Sequence, residues 1–188
     1  MSKTIIYHID VNSAFLSWQA CQTLSIDENA TDLRTIPAVI GGSQKERHGI
    51  VLAKSIPAKA YQIHTGEPLV SARKKCPELT VVPPDFSIYV EYSKAFIDLL
   101  KKHSPVVEQY SIDEAFCDMT GMEILHGSPV DFANTLREEI RDTLGFTVNI
   151  GVSTNKLLAK MASDFTKPDK VHTLFPEEIE KNLWPLPI

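Results

Sequence analysis

The sequence predicts an α+β fold, in which the main elements follow one another in a βαββαβ series with a small α/β segment inserted near the start. Short apolar runs of strand composition alternate with helical patterns along the 188 residues. A hydrophobic content of 43% is enough for one globular core and a smaller inserted lobe. We therefore expect a ferredoxin-like antiparallel sheet covered by helices on one face, with the first strand beside the central hairpin.

The first strand is TIIYHID at 4–10, a short apolar run that ends in an acidic residue. Asn12 or Ser13 can cap the helix that follows, in which Phe15 and Trp18 share an apolar stripe. The backbone N–H groups from about Asn12 onward form an anion-binding helix end.

The inserted segment contains two predicted strands, 36–42 and 49–55, and a helix in GEPLVSARKKCPE whose first turn suits Pro68. Residues 41–76 carry seven Lys or Arg and two Glu, although the formal net charge of the whole chain is −5. A basic lobe beside an acidic body suits a protein that holds phosphate in one place and metal ions in another. A solvated basic face is the alternative.

The second half of the chain supplies the remaining elements. A strand in LTVVPP and a helix in DFSIYVEYSKAFIDLLKKHS precede two strand-like segments, SPVVEQYSI and AFCDM, which flank Asp113 and Glu114. PVDFANTLREEIRDTLG predicts a helix with Gly145 as its C-cap. A strand at 147–153 and a helix in STNKLLAKMASDFTKP, closed by Pro168, complete the series.

Several classes of protein are disfavoured by the composition. Cys21, Cys76 and Cys117 are odd in number and lack C-x-x-C spacing, so they predict neither a disulfide framework nor a zinc site. No apolar run approaches the ~20 residues of a membrane span. The N-terminal segment lacks the pattern of a secretory signal, so we expect a cytoplasmic protein with no membrane partner.

Two adjacent carboxylates, Asp113 and Glu114, would point to opposite faces of a straight strand, so a shared role requires a bend. A tight hairpin with the pair at or near its tip supplies one, and a solvated turn is the alternative. Beside the first strand, this hairpin would bring Asp10 to the pair. Three carboxylates without imidazole or thiolate suit two Mg²⁺ ions, or Mn²⁺, and phosphoryl transfer.

Three motifs together resemble the Y-family translesion DNA polymerases, most closely the DNA polymerase IV subfamily. The motifs are IDVNSAF, YSIDEAF and GVSTNKLLAKMASDFTKPDK, in that order, and the resemblance covers essentially the whole chain. It implies a catalytic palm at 1–22 and 80–175, inserted fingers at 23–79, and the start of a linker and thumb at 176–188. The thumb and little-finger domains of the family do not follow here, so we expect weak or no primer extension by this piece.

The resemblance implies a template-directed polymerase that adds dNTPs to a primer 3′-hydroxyl by two-metal phosphoryl transfer, in DNA damage tolerance and repair. Asp10, Asp113 and Glu114 match the catalytic, metal-binding carboxylates of the family. The carbonyl of Val11 matches a further ligand, and the resemblance implies that Glu114 would lie nearest the primer 3′-hydroxyl. The implied partners are primer–template DNA, a dNTP and, through a region beyond this chain, a sliding clamp.

The resemblance also implies a set of nucleotide-binding residues, namely Asn12, Ser13, Ala14, Phe15, Ala53, Lys59 and Lys167. Phe15 matches the steric gate, a bulky ring that collides with a ribose 2′-hydroxyl, with core packing as the alternative. Lys167 matches the lysine that reaches the triphosphate, with an exposed helical lysine as the alternative. Lys156 and Lys160 are further candidates, and Lys160 is either near the site or on the surface.

One motif departs from the family. Many members carry Y-x-A-R to grip the triphosphate, whereas this chain has IPAK at 56–59. Lys59 keeps the charge without the guanidinium fork, and Ile56 has no hydroxyl to donate. Lys54 or Tyr61 are candidates for the missing contacts.

Three other functions fit less well. A palm-fold nucleotide cyclase shares the βαββαβ series and two-metal chemistry, but it needs neither a basic inserted lobe nor a steric gate. A non-catalytic DNA-repair scaffold predicts the loss of at least one carboxylate, and all three are present. A phosphatase built on D-x-D is weaker still, because Asn12 stands at the second acidic position.

Overall fold

A computed structural model describes residues 4–42 and 49–186, which form two compact units. The first unit comprises the chain up to Asn12 and from Ser93 onward, and the second unit is Ser13–Tyr92. The second unit contains the predicted fingers and more. The functional boundaries of palm, fingers and linker stay a prediction, because compactness alone does not assign function.

The elements follow in this order: β1 (Ile6–Val11), α1 (Ala14–Ile26), β2 (Ala38–Gly41), β3 (Val51–Lys54), α2 (Ile56–Ala60), α3 (Leu69–Lys75), β4 (Thr80–Val82), α4 (Phe86–His103), β5 (Val106–Gln109), β6 (Glu114–Asp118), α5 (Glu123–His126), α6 (Pro129–Leu144), β7 (Val148–Ser153), α7 (Lys156–Ser163), β8 (Val171–Thr173), a 3₁₀ turn (Pro176–Glu178) and α8 (Ile179–Asn182).

The sheet of the first unit has the strand order β5-β6-β1-β7-β8. β1 pairs antiparallel with β6 and with β7, and β5 pairs antiparallel with β6, which is the ferredoxin-like order. The predicted α+β fold is therefore confirmed. The sheet is not wholly antiparallel, however, because β8 adds a short strand parallel to β7.

Helices cover both faces of this sheet, so the expectation of helices on one face was wrong. The hydroxyl of Tyr7 donates to the carbonyl of Pro129 at the start of α6, which places α6 on the Tyr7 face. A Cβ atom on Gly151, which lies opposite His8, would be 1.9 Å from the Ala159 carbonyl oxygen of α7. Adjacent strand residues point to opposite faces, so α7 covers the His8 face. The physical reason is β8, because parallel neighbours require a crossover and α7 is that crossover.

Apolar side chains fill the core of the first unit on its Tyr7 face. The rings of Phe96 and Phe146 meet edge to face, with centroids 6.4 Å apart, and both are fully buried. The predicted apolar face of α6 is buried at Leu136 and Ile140. Ser128 caps this helix by accepting the Asp131 N–H, and Gly145 ends it in the left-handed conformation at φ 79°.

The second unit is built on a three-stranded sheet of order β3-β2-β4, with β2 and β4 parallel. Its core contains Val39, Val51, Ala58, Ile63, Leu69, Ala72, Cys76 and Leu79. The short helix α2 was not predicted, and the Ser55 hydroxyl caps it by accepting the Ala58 N–H at 3.1 Å. Of the basic residues of this segment, Lys45 and Arg47 lie outside the described residues.

The cysteines are free thiols in the structure. Cys76 and Cys117 are buried, and burial raises the pKa of the Cys117 thiol to about 12. Within 4–42 and 49–186, none of the helices combines the length and apolar character needed to cross a membrane.

Candidate active site

The register of the sheet brings the three predicted carboxylates together. In β1, Asp10 lies directly opposite Glu114 of β6, and directly opposed residues of antiparallel strands project on the same face. The N–H of Val11 donates to the carbonyl of Asp113 at 3.0 Å, which fixes the turn against the end of β1. The three acidic residues therefore lie at one end of β1.

The hairpin places its acidic pair as the sequence predicts. β5 ends at Gln109 and β6 begins at Glu114, so Asp113 lies in the turn and Glu114 opens the strand. The Ser111 hydroxyl donates to Asp113 Oδ1 at 2.8 Å, and the Ser111 N–H donates to the Glu114 carbonyl at 3.1 Å. These bonds fix the turn that places Asp113 directly before the first residue of β6.

Two lysines pair with the carboxylates. Lys167 Nζ contacts Asp10 Oδ2 and lies 2.8 Å from Asp164 Oδ1. From α7, Lys160 Nζ contacts Glu114 Oε2. Of the two positions that the sequence left open for Lys160, the structure therefore gives the one beside the carboxylates.

The other α7 lysine lies farther along the hairpin. Lys156 Nζ pairs with Glu108 of β5 and lies 5.4 Å from the centroid of the Phe116 ring. Lys160 Nζ lies 5.0 Å from the Tyr110 ring centroid. Of these two α7 lysines, Lys160 is therefore the one that pairs with a carboxylate of the predicted triad.

Burial and like charge shape the titration of Asp10. Burial raises its pKa above the ordinary value, the nearby Asp113 and Glu114 carboxylates act in the same direction, and Lys167 opposes the shift. For Lys167, burial by itself would lower the pKa, but hydrogen bonds to Asp10 and Asp164 raise it above the ordinary value. The site is thus a cluster of like charges that positive groups must balance.

His8 also lies at the site, although it is not among the residues predicted from the sequence. Its ring is buried, with Nε2 3.4 Å from Glu114 Oε2 and Nδ1 2.7 Å from the Ser163 hydroxyl. Burial, followed by the positive charge of Lys160, lowers the pKa of His8 to about 4. Its position two residues before Asp10 was the available signal, because residues i and i+2 of a strand share a face.

The donor set suits a hard divalent cation, although the side chains are turned toward lysines. Within the described residues, no three His, Cys, Asp or Glu side chains are arranged as a metal-ligand cluster. Asp10 and Glu114 instead direct oxygens at ammonium groups. Carboxylates rotate about their side-chain torsions easily, whereas the register of a sheet does not change. Asp10, Asp113 and Glu114 could then hold Mg²⁺ through oxygen atoms alone.

The predicted anion-binding end of α1 differs from expectation at its first residues. The Asn12 N–H donates to the Thr147 carbonyl at 3.0 Å, so it is already engaged within the first unit. Ser13 is the N-cap, but it is left-handed at φ 49° and its side chain makes no capping hydrogen bond. The helix starts at Ala14, and its first N–H groups have no acceptor within the helix.

In the second unit, Phe15 belongs to an aromatic cluster. Its ring is half-buried and stacks on Tyr89 with centroids 4.6 Å apart and planes 9° apart, and it meets Phe86 edge to face at 5.9 Å. Trp18 lies 6.1 Å away. The ring is therefore held in one orientation by its neighbours, as both a steric gate and a packing residue would be.

The remaining nucleotide-site candidates are spread over β3 and α2. Ala53 is buried on β3, opposite Ile40, and Lys59 is exposed in the last turn of α2. Lys54 Nζ donates to the Ile63 carbonyl at 2.6 Å, and the Tyr61 hydroxyl donates to Glu78 at 2.7 Å. These contacts give Lys54 and Tyr61 structural roles within the unit.

Comparison with known proteins identifies relatives along the whole chain. Residues 9–164 match the family model described as the impB/mucB/samB family. A DNA polymerase IV from Clostridium acetobutylicum is 54% identical over 192 residues, covering 100% of this chain and 47% of that protein. One from Alkaliphilus oremlandii is 41% identical, covering 98% of this chain and 44% of that protein. The chain thus spans about half the length of these curated relatives.

Solved structures agree with the sequence relatives. The crystal structure of DinB from Sulfolobus solfataricus superposes with a TM-score of 0.79 at 27% identity, covering 94% of this chain and 50% of that one. An insertion ternary complex of Dbh DNA polymerase gives a TM-score of 0.82 at 26% identity, covering 98% of this chain and 52% of that one. The architecture described above is therefore that of the corresponding half of these polymerases.

Proposed function

The chain belongs to the impB/mucB/samB family of Y-family DNA polymerases, and on this basis we propose that it is the catalytic part of a translesion DNA polymerase. It would extend a primer against a template with dNTPs, in DNA damage tolerance and repair in the cytoplasm. The observation that carries the proposal is the register that sets Asp10 opposite Glu114, with Asp113 in the adjoining turn.

The proposed cofactor is Mg²⁺. Two ions would be held by Asp10, Asp113, Glu114 and the carbonyl of Val11. Mn²⁺ has the same preference for oxygen donors. Bound ions would activate the attacking oxygen and neutralise charge on the phosphates. The residues of the chain would set the geometry, because phosphoryl transfer depends mainly on positioning and charge neutralisation.

The two lysines would have different roles during the reaction. Lys167, which pairs with Asp10, would pair with the triphosphate when a nucleotide brings its own negative charge. Lys160 would keep Glu114 oriented, and His8 would support the same carboxylate from the buried side. Each step uses an ion pair or a contact that the fold already supplies.

We assign the remaining predicted residues to the nucleotide on the strength of the family motif and the local structure. Asn12 in the first unit, and Ser13, Ala14, Phe15, Ala53 and Lys59 in the second, are the proposed contacts. Phe15 would exclude ribonucleotides, because its ring is fixed by stacking on Tyr89. Lys59 would offer a single exposed positive charge in place of an arginine fork.

Primer–template DNA is the proposed partner, and a sliding clamp is a further proposed partner. The test is primer extension with dNTPs and Mg²⁺, by the chain itself and by a chimera in which it replaces the matching half of the Clostridium acetobutylicum relative. We expect extension by the chimera, and weak or no extension by the chain.

The decisive variant is Asp113→Asn, which preserves shape and removes the charge. We expect extension to fall about 100-fold or more, since the charge stabilisation at stake is several kcal/mol. Asp142→Asn, on the exposed face of α6, is the matched control and should leave the rate unchanged. No extension by the chimera, or full activity of Asp113→Asn, would refute the proposal.

A further inference from the structure

Lys167 lies in the segment 164–170, which connects α7 to β8. The sequence predicted that α7 runs to Pro168, but the helix ends at Ser163, and Asp169 has a left-handed backbone at φ 58°. Backbone hydrogen bonds hold its two ends, from Asp164 and Phe165 back to α7 and from the Ile150 N–H to the Lys170 carbonyl, but Lys167 lies between them. The position of Lys167 therefore depends on what anchors the segment.

Asn149 of β7 is the inner anchor. Its side chain is fully buried, and its Nδ2 donates to the Ser163 carbonyl at 3.0 Å and to the Thr166 carbonyl at 2.8 Å. Its Oδ1 accepts the Lys170 N–H at 3.3 Å. One amide thus satisfies backbone groups at both ends of the segment, and the donors and acceptor leave one consistent orientation for it.

The same side chain lies next to the predicted metal-binding carboxylate. Asn149 is the cross-strand partner of Asp10, so both project on the face that α7 covers. The segment that Asn149 holds is the one from which Lys167 reaches Asp10. Asn149 in the sheet thus holds the Thr166 carbonyl, and the next residue, Lys167, reaches back to Asp10.

A second anchor lies on the outer side of the segment. Arg137 Nη1 lies 2.6 Å from Asp169 Oδ1, and Arg141 Nη1 lies 3.3 Å from Asp169 Oδ2. Arg137 also donates to the Asp169 carbonyl at 3.3 Å. These contacts hold the Asp169 end of the segment to α6. The His172 ring also contacts the Thr166 backbone, and the Lys170 carbonyl accepts the Ile150 N–H at 2.9 Å. Asn149 contacts both ends through one side chain, which makes it the residue to perturb.

We propose that Asn149 is a positioning residue that holds the segment 164–170 so that Lys167 is presented to the triphosphate of the incoming nucleotide. The inference rests on the proposed function, because it assumes that Lys167 contacts the nucleotide. Asn149 itself touches no reacting atom. Its loss should weaken nucleotide binding and leave the chemical step largely intact, because the carboxylates keep their register.

The kinetic test uses the chimera, with steady-state primer extension at varied dNTP. We expect Asn149→Ala to raise the KM for dNTP about 5–20-fold while kcat changes less than about twofold, since one charge-assisted phosphate contact becomes poorly populated. Asn149→Asp keeps the size and the acceptor but loses both donors, so it should raise KM at least as much. Asn134→Ala, which removes an amide that donates to the Val130 carbonyl within α6, is the matched control.

A double variant distinguishes this inference from the proposed function. If Asn149 acts through Lys167, then Asn149→Ala should add nothing to the KM effect of Lys167→Ala. If Lys167→Ala leaves KM unchanged, the proposed nucleotide contact of Lys167 is wrong. If Lys167→Ala raises KM while Asn149→Ala does not, or if the two effects multiply fully, this inference alone is overturned.

Hydrogen–deuterium exchange on the chain gives a readout without catalysis. The Lys170 N–H should exchange at least about 10-fold faster in Asn149→Ala, because its acceptor is gone, while amides of α6 stay protected. Unchanged exchange at Lys170 would overturn the anchoring role. Should Asn149→Ala fail to fold, Asn149→Leu, which also lacks the acceptor for the Lys170 N–H, carries the exchange measurement, and Asn149→Asp carries the KM measurement.

Discussion

Gly151 is the position at which one added methyl group should disturb both fold and site. It lies in β7 opposite His8, on the face that α7 covers. A Cβ atom there would be 1.9 Å from the Ala159 carbonyl oxygen and 2.5 Å from the Ser163 backbone nitrogen. Both are backbone atoms of a helix, so no side-chain rotation relieves the contact and α7 must move.

The cost of Gly151→Ala follows from that geometry. Ordinary van der Waals contact begins at about 3.4 Å, so the helix would have to withdraw by about 1 Å or more. Overpacking a core costs about 1–3 kcal/mol, and the rigid backbone partners place this case at or above the upper end. We therefore expect the free energy of unfolding to fall by about 3 kcal/mol. The lysine of α7 that pairs with Glu114 would be displaced as well.

Urea denaturation of the chain, followed by circular dichroism, measures the effect. Gly121→Ala is the matched control, because its left-handed backbone at φ +79° has nothing within 4 Å of the added atom. That variant should lose only about 1 kcal/mol, the cost of left-handed backbone for an L residue. The steric argument is refuted if Gly151→Ala lowers the free energy of unfolding by less than about 0.5 kcal/mol, or by no more than Gly121→Ala does.

Two further predictions concern single rings. Phe15→Ala in the chimera should raise ribonucleotide incorporation relative to dNTP incorporation by about 10-fold or more, measured by primer extension with each substrate; an unchanged ratio would contradict the gate. His8 has a folded-state pKa of about 4 against 6.5 when unfolded, with Lys160, Glu114 and Asp164 facing it. The contribution of neutral His8 to stability is present above about pH 6.5 and is lost as the pH falls to about 4, a change on the order of 3 kcal/mol. Thermal unfolding at several pH values measures it, and His8→Phe should flatten the dependence of stability on pH over this range.

Local signals were sufficient for most elements. The helix α6 has a Ser128 cap, Pro129 at its first position and Gly145 at its end, and each signal acts within a few residues. The hairpin was equally accessible, because strand-like composition on both sides of an acidic pair leaves few alternatives to a turn. Elements of this kind can be predicted from residues within or next to the element itself.

The elements that the sequence did not predict are short or depend on tertiary contacts. The helix α2 is five residues long and is stabilised by the Ser55 cap, too short for periodicity to reveal. β8 has three residues and only half-buried side chains, so its composition is weak as a strand signal. Because α7 is the crossover between β7 and β8, a prediction without β8 also lacks the helix on the second face of the sheet.

The pairing of lysines with carboxylates was the part of the site least accessible from the sequence. Lys160 and Glu114 are far apart along the chain, and the lysine could have faced solvent. Its position follows from Gly151, which lets α7 approach the sheet closely enough to lie over the carboxylates. The absence of a side chain at Gly151 thus allows Lys160 to contact Glu114.

Strand register explains why these residues form one site. Asp10 lies opposite Glu114 on one side and opposite Asn149 on the other, so a single position of β1 joins the hairpin to the segment that carries Lys167. A slip of β1 by one residue would turn Asp10 to the Tyr7 face and break both relationships at once. Because the apolar alternation that buries Tyr7 resists such a slip, core packing on one face of the sheet fixes the charge arrangement on the other. The stability of the core and the geometry of the site are therefore set by the same register.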